Sequence, residues 1–251
     1  MATTFEDELE VFRTEEEVAQ QYFFAYLSVR ALALKDKDVL ANMNTNPLFW
    51  KTTHHAMVLA AFMAIGRIFD QDRLSDHNID KLMTATADNL HLFTKAELAK
   101  RKIAAGLTQE QADKYVSDRY ELTLPDIRDL KKQVAKWRRV YDERYRDVRH
   151  QAFAHKRKRE TVEAVMAKTN IDEIKEMLGF FAGLQTALEQ LWLNGRQPIV
   201  TVRQFTLPPE VRLSTNNWSP GERVFFEGHE VLRMVTPPDP DELRYNAGMM
   251  V

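Results

Sequence analysis

Cysteine is missing from this chain, which excludes disulfide bonds, thiolate metal sites and cysteine nucleophiles. The absence fits a reducing compartment, and we expect a cytoplasmic protein. The first ten residues are acidic and lack a basic start followed by an apolar core, so no signal peptide is predicted. The longest apolar run, Ala56–Ile65, has ten residues and is too short to cross a bilayer. No membrane partner is therefore expected.

Several catalytic patterns are missing as well. The sequence shows no serine-type triad, no glycine-rich phosphate loop, no Cys/His zinc spacing and no carboxylate-pair motif. We therefore predict no cofactor and no metal. Proline is scarce at first, since only two of the nine prolines precede residue 198. With 44% hydrophobic and 29% charged residues, the chain can bury a substantial core.

The most patterned stretch is a long amphipathic segment that begins near Pro125. Its apolar and aromatic residues recur at spacings of three and four, which mark one helix face: Ile127, Leu130, Val134, Trp137, Tyr141, Tyr145 and Val148. Just beyond it, Arg149 and His155 bracket a short apolar step. An unbroken helix turns by about 600° between them. They converge only if the helix bends or ends, or if a second subunit supplies a partner. The alternative is that they cap and pack a helix end.

This stretch resembles a known family. Residues 149–155, Arg-His-Gln-Ala-Phe-Ala-His, resemble the arginine–polar–spacer–histidine signature of the HEPN superfamily, and the Phe-Ala-His ending resembles its abortive-infection AbiU-type branch. A second stretch, from Phe49-Trp50 to Arg67-Ile68-Phe69-Asp70 on one predicted helix, resembles the same branch. The resemblance covers roughly residues 14–193. It implies an all-helical, usually dimeric protein, and many members are metal-independent ribonucleases.

The resemblance also implies a role for each matched residue. Arg149 and His155 are the expected catalytic pair. His150 stands where the family more often has Asn or Asp, so it is either a further proton carrier or a sign of altered or lost activity. Arg67 and Asp70 are expected to orient the pair from a neighbouring helix. The alternative for these two is an ordinary surface ion pair one turn apart.

The net charge of −2 hides a basic segment. Residues 125–159 contain thirteen Lys/Arg and five Asp/Glu, a local net of +8, which leaves −10 for the rest of the chain. Such a segment attracts a polyanion, and we expect RNA to bind there. The predicted RNA-binding residues are Arg144, Arg146, Lys156, Arg157, Lys158 and Arg159. The alternative is a solvated helix face followed by a basic loop.

The overall pattern predicts an all-α, HEPN-like helical bundle over 1–197. Long helices are expected from the apparent capping box Thr14–Glu17, from Asn46-Pro47, from Pro125 and from Asn170 or Asp172. The second of these is apolar nearly all round and is predicted to be the most buried. Over residues 71–124 the pattern predicts an exposed helical hairpin inserted between the core helices. This hairpin is expected to hold a partner or to reach across a dimer, and the alternative is that it is solvated and has no such role.

The last part of the chain changes character. Residues 198–251 contain seven of the nine prolines and form the second predicted domain. We expect an extended arm with a small β element, in which 198–207 alternates like a strand. A hairpin is predicted over 223–235, turning at Glu227-Gly228.

Together these observations predict a metal-independent endoribonuclease of a bacterial defence or toxin–antitoxin system. Its composite Arg/His site is expected at a homodimer interface, because two motif sets supply both an acid and a base. A cognate antitoxin protein is a further possible partner. The alternative is a non-catalytic HEPN-like module that binds RNA or protein through the same basic surface.

Overall fold

The computed structural model describes residues 4–72, 74–146, 169–205 and 218–235. These residues form nine α-helices and one short 3₁₀ helix, Leu90–Phe93, and no strand occurs among them. The predicted all-α class is therefore confirmed for this part of the chain. The helices α1 to α9 are Phe5–Lys35, Lys37–Thr45, Pro47–Ile68, Ile79–Asp88, Lys95–Ala104, Gln109–Val116, Leu124–Arg144, Ile171–Asn194 and Pro220–Val235.

The first helix begins at Phe5 and not at Thr14. The Asp7 backbone amide donates a hydrogen bond to the Thr4 hydroxyl oxygen at 3.1 Å. The Thr4 backbone amide donates in turn to the Asp7 carboxylate at 3.2 Å, so the two residues cap the helix reciprocally. Thr14 lies inside the helix, where its hydroxyl donates to the Glu10 carbonyl at 3.0 Å. The predicted start was wrong because a threonine inside a helix can satisfy its hydroxyl in this way.

Other helix ends follow the sequence signals. Helix α3 begins at Pro47 as predicted. Thr123 caps α7, with Pro125 in the first turn. Asn170 caps α8, and Gly195 ends it in the left-handed region at φ 59°. Glycine has no Cβ atom that would clash in this conformation, so it is the usual residue at such a helix end. Helix α2 was not predicted from the sequence.

The chain divides into two compact units. Unit 1 comprises Met1–Val18 with Phe62–Gln204, and unit 2 comprises Ala19–Ala61 with Phe205–Val251. The sequence predicted a domain boundary at residue 198. The division into compact units does not test whether residues 198–251 fold on their own, so this boundary stays a prediction.

The core of unit 1 is organised around α8. This helix buries thirteen residues, whereas α3 buries seven, so the prediction that α3 is the most buried helix was wrong. The apolar stripe of α7 is buried within the subunit from Ile127 to Tyr141, and so are the apolar residues of α8 from Ile174 to Leu191 that recur at helical spacings. Within the described residues, these two stripes therefore offer no free apolar surface to a second copy.

Two glycines on α8 allow an extended segment to lie against the helix. Residues 197–205 form neither helix nor strand. A Cβ atom added at Gly179 would overlap the carbonyl oxygen of Arg203, and one at Gly183 would overlap that of Thr201. The Arg203 amide donates to the Gly179 carbonyl at 3.0 Å. The strand predicted over 198–207 is therefore wrong over its described part, because this segment pairs with a helix.

We expect Gly183→Ala to lower the free energy of unfolding by about 1–3 kcal/mol, because the added methyl group meets backbone that must shift. Urea denaturation measures the loss. Thr186→Ala, at an exposed position on the same helix, is the control and should change stability by less than about 0.5 kcal/mol. Equal stability of the two variants would contradict the close approach.

The hairpin predicted over 223–235 is wrong. These residues lie in α9, whose buried residues Gly221, Phe225 and Leu232 recur at helical spacings. Gly228, taken as the turn residue, instead sits beside α1 within unit 2, where a Cβ would lie 2.5 Å from the Ser28 hydroxyl oxygen. Close helix packing, and not a turn, explains this glycine.

The inserted hairpin is present as α5 and α6, but it is docked and not free. The Arg101 guanidinium lies 3.8 Å from the centre of the Trp192 ring and donates to the Trp192 carbonyl at 3.2 Å. Tyr115 donates to the Asn194 side chain at 3.1 Å. These contacts hold the hairpin on the end of α8. None of the described helices is long and apolar enough to span a membrane.

Candidate functional site

The predicted catalytic motif lies outside the described residues. Arg149, His150 and His155 fall there, as do the predicted RNA-binding residues 156–159. Their roles stay predictions. The residues on either side of the motif segment, 147–168, are described up to Arg146 and from Thr169 onward.

The two ends of that segment are held together by Tyr145, Glu173 and Asn170. The Tyr145 hydroxyl donates to Glu173 Oε2 at 2.6 Å, and Arg144 Nη1 binds Glu173 Oε1 at 2.6 Å. The Asn170 amide also reaches the Tyr145 oxygen at 3.4 Å. Glu173 lies in the first turn of α8, where the helix dipole favours a carboxylate. The two described flanks of the motif segment are therefore anchored to each other.

The contacts around Tyr145 change the pKa of its hydroxyl group. Burial raises the pKa of the Tyr145 hydroxyl, and the hydrogen bond to Glu173 raises it further. Both effects favour the neutral phenol in the folded protein. The folded pKa therefore exceeds the unfolded one. The resulting stability is fully present below about pH 10, the usual tyrosine pKa, and is lost as the pH rises through the folded pKa.

We expect Tyr145→Phe to lower the free energy of unfolding by about 1–2 kcal/mol at neutral pH, because it removes a hydrogen bond to a carboxylate. The difference from the wild type should shrink above about pH 10, where the unfolded tyrosine ionises and stabilises the unfolded chain. Urea unfolding at neutral and alkaline pH measures this. A difference that stays constant across that range would contradict the assigned role.

A cleft of about 420 Å³ lies in unit 1 beside this anchor. We call it the motif cleft. It is lined by Gly66, Phe69, Asp70, Gln71, Asp72, Tyr141, Asp142 and Arg146. The cleft thus brings Asp70, just beyond the end of α3, together with Arg146, three residues before Arg149. The Asp70 carboxylate accepts the Asp72 amide at 3.0 Å, which fixes its direction.

Arg67 does not accompany Asp70 in the motif cleft. Its guanidinium binds Glu15 Oε2 through Nε at 2.9 Å and through Nη2 at 2.7 Å. No ion pair joins Arg67 to Asp70, so the surface bridge considered as an alternative is not formed. Arg67 instead lines a second cavity, which Asp70 also borders. Of the two residues, only Asp70 lines the motif cleft.

The predicted RNA-binding arginines that the structure describes differ in their partners. Arg144 is tied to Glu173, whereas Arg146 has a looser ion pair with Asp142 at 3.7 Å. Further cations lie on the exposed face of α7, a surface we call the basic face: Arg128, Lys131, Lys132, Lys136 and Arg139. Lys132 pairs with Asp129 at 2.9 Å.

Sequence reasoning missed Glu173 and the anchoring role of Tyr145. Tyr145 was assigned only to the apolar stripe, and Glu173 was given no role. The one available signal was the Asn-Ile-Asp-Glu start of α8, which marks a cap but gives no tertiary partner. Among the described residues, no group of three His, Cys, Asp or Glu side chains is arranged to hold a metal ion.

Comparison with known proteins adds one match. A HEPN family model described as AbiU2 matches residues 3–210, which is most of the chain. The comparison with curated proteins gave no match, and neither did the comparison with solved structures. The matched range contains α1 to α8 and the whole motif segment. The chain therefore belongs to the AbiU2 family, a HEPN family related to abortive infection.

Proposed function

We propose that this protein is a metal-independent endoribonuclease of a bacterial defence or toxin–antitoxin system, acting in the cytoplasm. The observation that carries the proposal is the motif cleft, in which Asp70 and Arg146 border the same space. Arg149 follows Arg146 by three residues, so the chain keeps their Cα atoms within about 11 Å. Asp70 is therefore within reach of the segment that contains the motif.

The motif residues suit RNA cleavage without a metal. The reaction removes the proton of the 2′-hydroxyl, whose oxygen then attacks phosphorus, while the departing 5′-oxygen gains a proton. Histidine takes up and releases a proton near neutral pH, which suits His155 to this role, and such a positioned group contributes about 10²–10⁴ in rate. Arg149 stays charged and binds two phosphate oxygens through its planar fork. Asp70 accepts a hydrogen bond from one of these two side chains and orients it, as a positioning residue.

The basic face of α7 supports RNA as the substrate. Its exposed lysines and arginines lead along the helix towards Arg146 and the motif cleft. Each phosphate that such cations neutralise releases counterions, so RNA affinity should fall steeply with salt. Lys156–Arg159 would extend this surface beyond the motif.

We further propose a homodimer. One Arg149/His155 set supplies one proton carrier, whereas two sets across a twofold axis supply an acid and a base to one phosphate. His150 would be a further proton carrier within each set. Since the apolar stripes of α7 and α8 are buried inside the subunit, the dimer contact must use other surfaces. Light scattering at micromolar concentration tests this, and a monomer would overturn the dimer.

RNA cleavage in the presence of EDTA tests the proposed function. We expect the wild-type protein to cut single-stranded RNA and to leave a 2′,3′-cyclic phosphate and a 5′-hydroxyl, the products of attack by the neighbouring 2′-oxygen. An RNA with 2′-deoxy substitution at the cut site is the matched control and should stay intact. Cleavage that requires a divalent cation, or that leaves a 5′-phosphate, would contradict the mechanism.

A second candidate function is a non-catalytic module that binds RNA, favoured by the basic face, which does not depend on the motif. A protein that never cleaves RNA, yet binds it with strongly salt-dependent affinity, would support this candidate. In either case an antitoxin protein remains a proposed partner.

A further inference from the structure

A second cavity in unit 1, of about 280 Å³, shares Asp70 with the motif cleft. We call it the acidic cavity. Its walls come from the first half of α1, the end of α3 and the segment before α4. Part of the lining is apolar and comes from Val11, Phe12, Ile68 and Ile79. A cavity of this size is smaller than the roughly 300–1,000 Å³ of pockets for drug-sized ligands.

One carboxylate of this cavity is buried. Glu8 is only 3% exposed. His77 Nδ1 lies 3.2 Å from Glu8 Oε1, and no other group in the described chain reaches either Glu8 oxygen. Oε2 therefore keeps its acceptor capacity open. Burying a carboxylate is costly unless it is paired or hydrogen-bonded.

The cavity carries an excess of negative charge beyond Glu8. Glu15 is neutralised by Arg67 at 2.7 Å. Asp70 and Asp76 also line the cavity, and neither has a basic side chain as an ion-pair partner among the described residues. The carboxylates of Glu8, Asp70 and Asp76 therefore share the cavity with a single arginine, which is already paired with Glu15. A phosphate would be repelled here, whereas a cation would be attracted.

We propose that the acidic cavity binds a cationic group on an aliphatic stem, namely a guanidinium or alkylammonium. The apolar lining covers the methylene groups, and Glu8 Oε2 receives the charged head together with Asp76 at the rim. Long basic side chains bury their stems and keep their heads on polar partners in this way. The same chemistry comes from a free polyamine or from an arginine or lysine of a partner protein. The proposal does not depend on RNA cleavage.

Calorimetric titration at low ionic strength tests the site with two probes, agmatine and acetyl-Gly-Arg-Gly-amide. Agmatine represents a free cation, and the peptide represents a partner's side chain. We expect at least one to bind with a dissociation constant in the millimolar range or below. Tighter binding of agmatine assigns the site to small cations, and tighter binding of the peptide assigns it to a protein partner.

Three variants decide whether the binding is specific. Glu8→Gln keeps the side-chain shape and should weaken affinity at least about tenfold, because it removes a charge-assisted hydrogen bond. Asp76→Asn, at an exposed position, should weaken it about two- to fivefold and keeps the test valid if Glu8→Gln does not fold. Glu176→Gln, on the exposed surface of α8, is the control and should change nothing. Failure of both probes to bind, or equal weakening by all three variants, would overturn the proposal.

Discussion

RNA cleavage is expected to disappear when His155 is replaced by alanine, while the protein stays folded. A positioned proton carrier contributes about 10²–10⁴ in rate, and both carriers are lost together if two His155 residues serve one phosphate. Arg149→Ala should have a comparable effect, because charge that develops on the phosphate then lacks its cationic partner. The decisive measurement is single-turnover cleavage of one RNA in EDTA by both variants and the wild type.

Matched substitutions separate chemistry from folding and from charge. His91→Ala removes an exposed histidine from the 3₁₀ helix, and Arg128→Ala removes an exposed cation from the start of α7. Both should retain cleavage, with Arg128→Ala weakening RNA binding only slightly. Circular dichroism must show the same helix content in all variants. Full activity of folded His155→Ala or Arg149→Ala would refute the catalytic assignment and favour the RNA-binding module.

The helices were predictable wherever a local signal coincided with a long apolar stripe. Helices α3, α7 and α8 have a cap or a proline at the start, and α7 and α8 have a regular stripe behind it. The prediction failed where the same residue types serve a different purpose. Gly228 suggested a turn, but its role is close contact with Ser28, two hundred residues away in sequence. Such a contact leaves no periodic trace in the chain.

The candidate site was only partly predictable for the same reason. The stretch from Phe49 to Asp70 was assigned to one helix, and α3 spans it up to Ile68, with Asp70 just beyond its end. The partner of Arg67 could not be predicted, because Glu15 lies on another helix and local spacing favours Asp70. The anchor formed by Tyr145 and Glu173 likewise joins two helices through single hydrogen bonds. Tertiary polar pairs of this kind depend on the packing and not on local sequence.

Packing also connects the core of unit 1 to the motif cleft, through Phe181. This side chain is fully buried on α8, and its ring centre lies 6.1 Å from that of Phe12 and 5.1 Å from that of Phe69. Phe69 precedes Asp70 and itself lines the motif cleft. A cavity at Phe181 would therefore remove the support behind the segment that places Asp70.

We expect Phe181→Ala to lower the free energy of unfolding by about 3–5 kcal/mol, the sum of lost burial and the cavity left behind. Phe181→Leu, which refills most of the space, should lose markedly less. Leu193→Ala, at a half-exposed position on the same helix, is the control and should lose less than about 1 kcal/mol. Urea denaturation at constant temperature gives all three values.

The same variants link stability to the site. At a temperature where Phe181→Leu is still folded, its cleavage rate should fall below that of Leu193→Ala, because Phe69 and therefore Asp70 lose a fixed position. If Phe181→Leu cleaves RNA at the wild-type rate while its unfolding free energy is reduced, then the packing behind Phe69 stabilises unit 1 without positioning Asp70. If Phe181→Ala unfolds at the wild-type urea concentration, the Phe181 ring is not the centre of the core and does not support the segment that places Asp70.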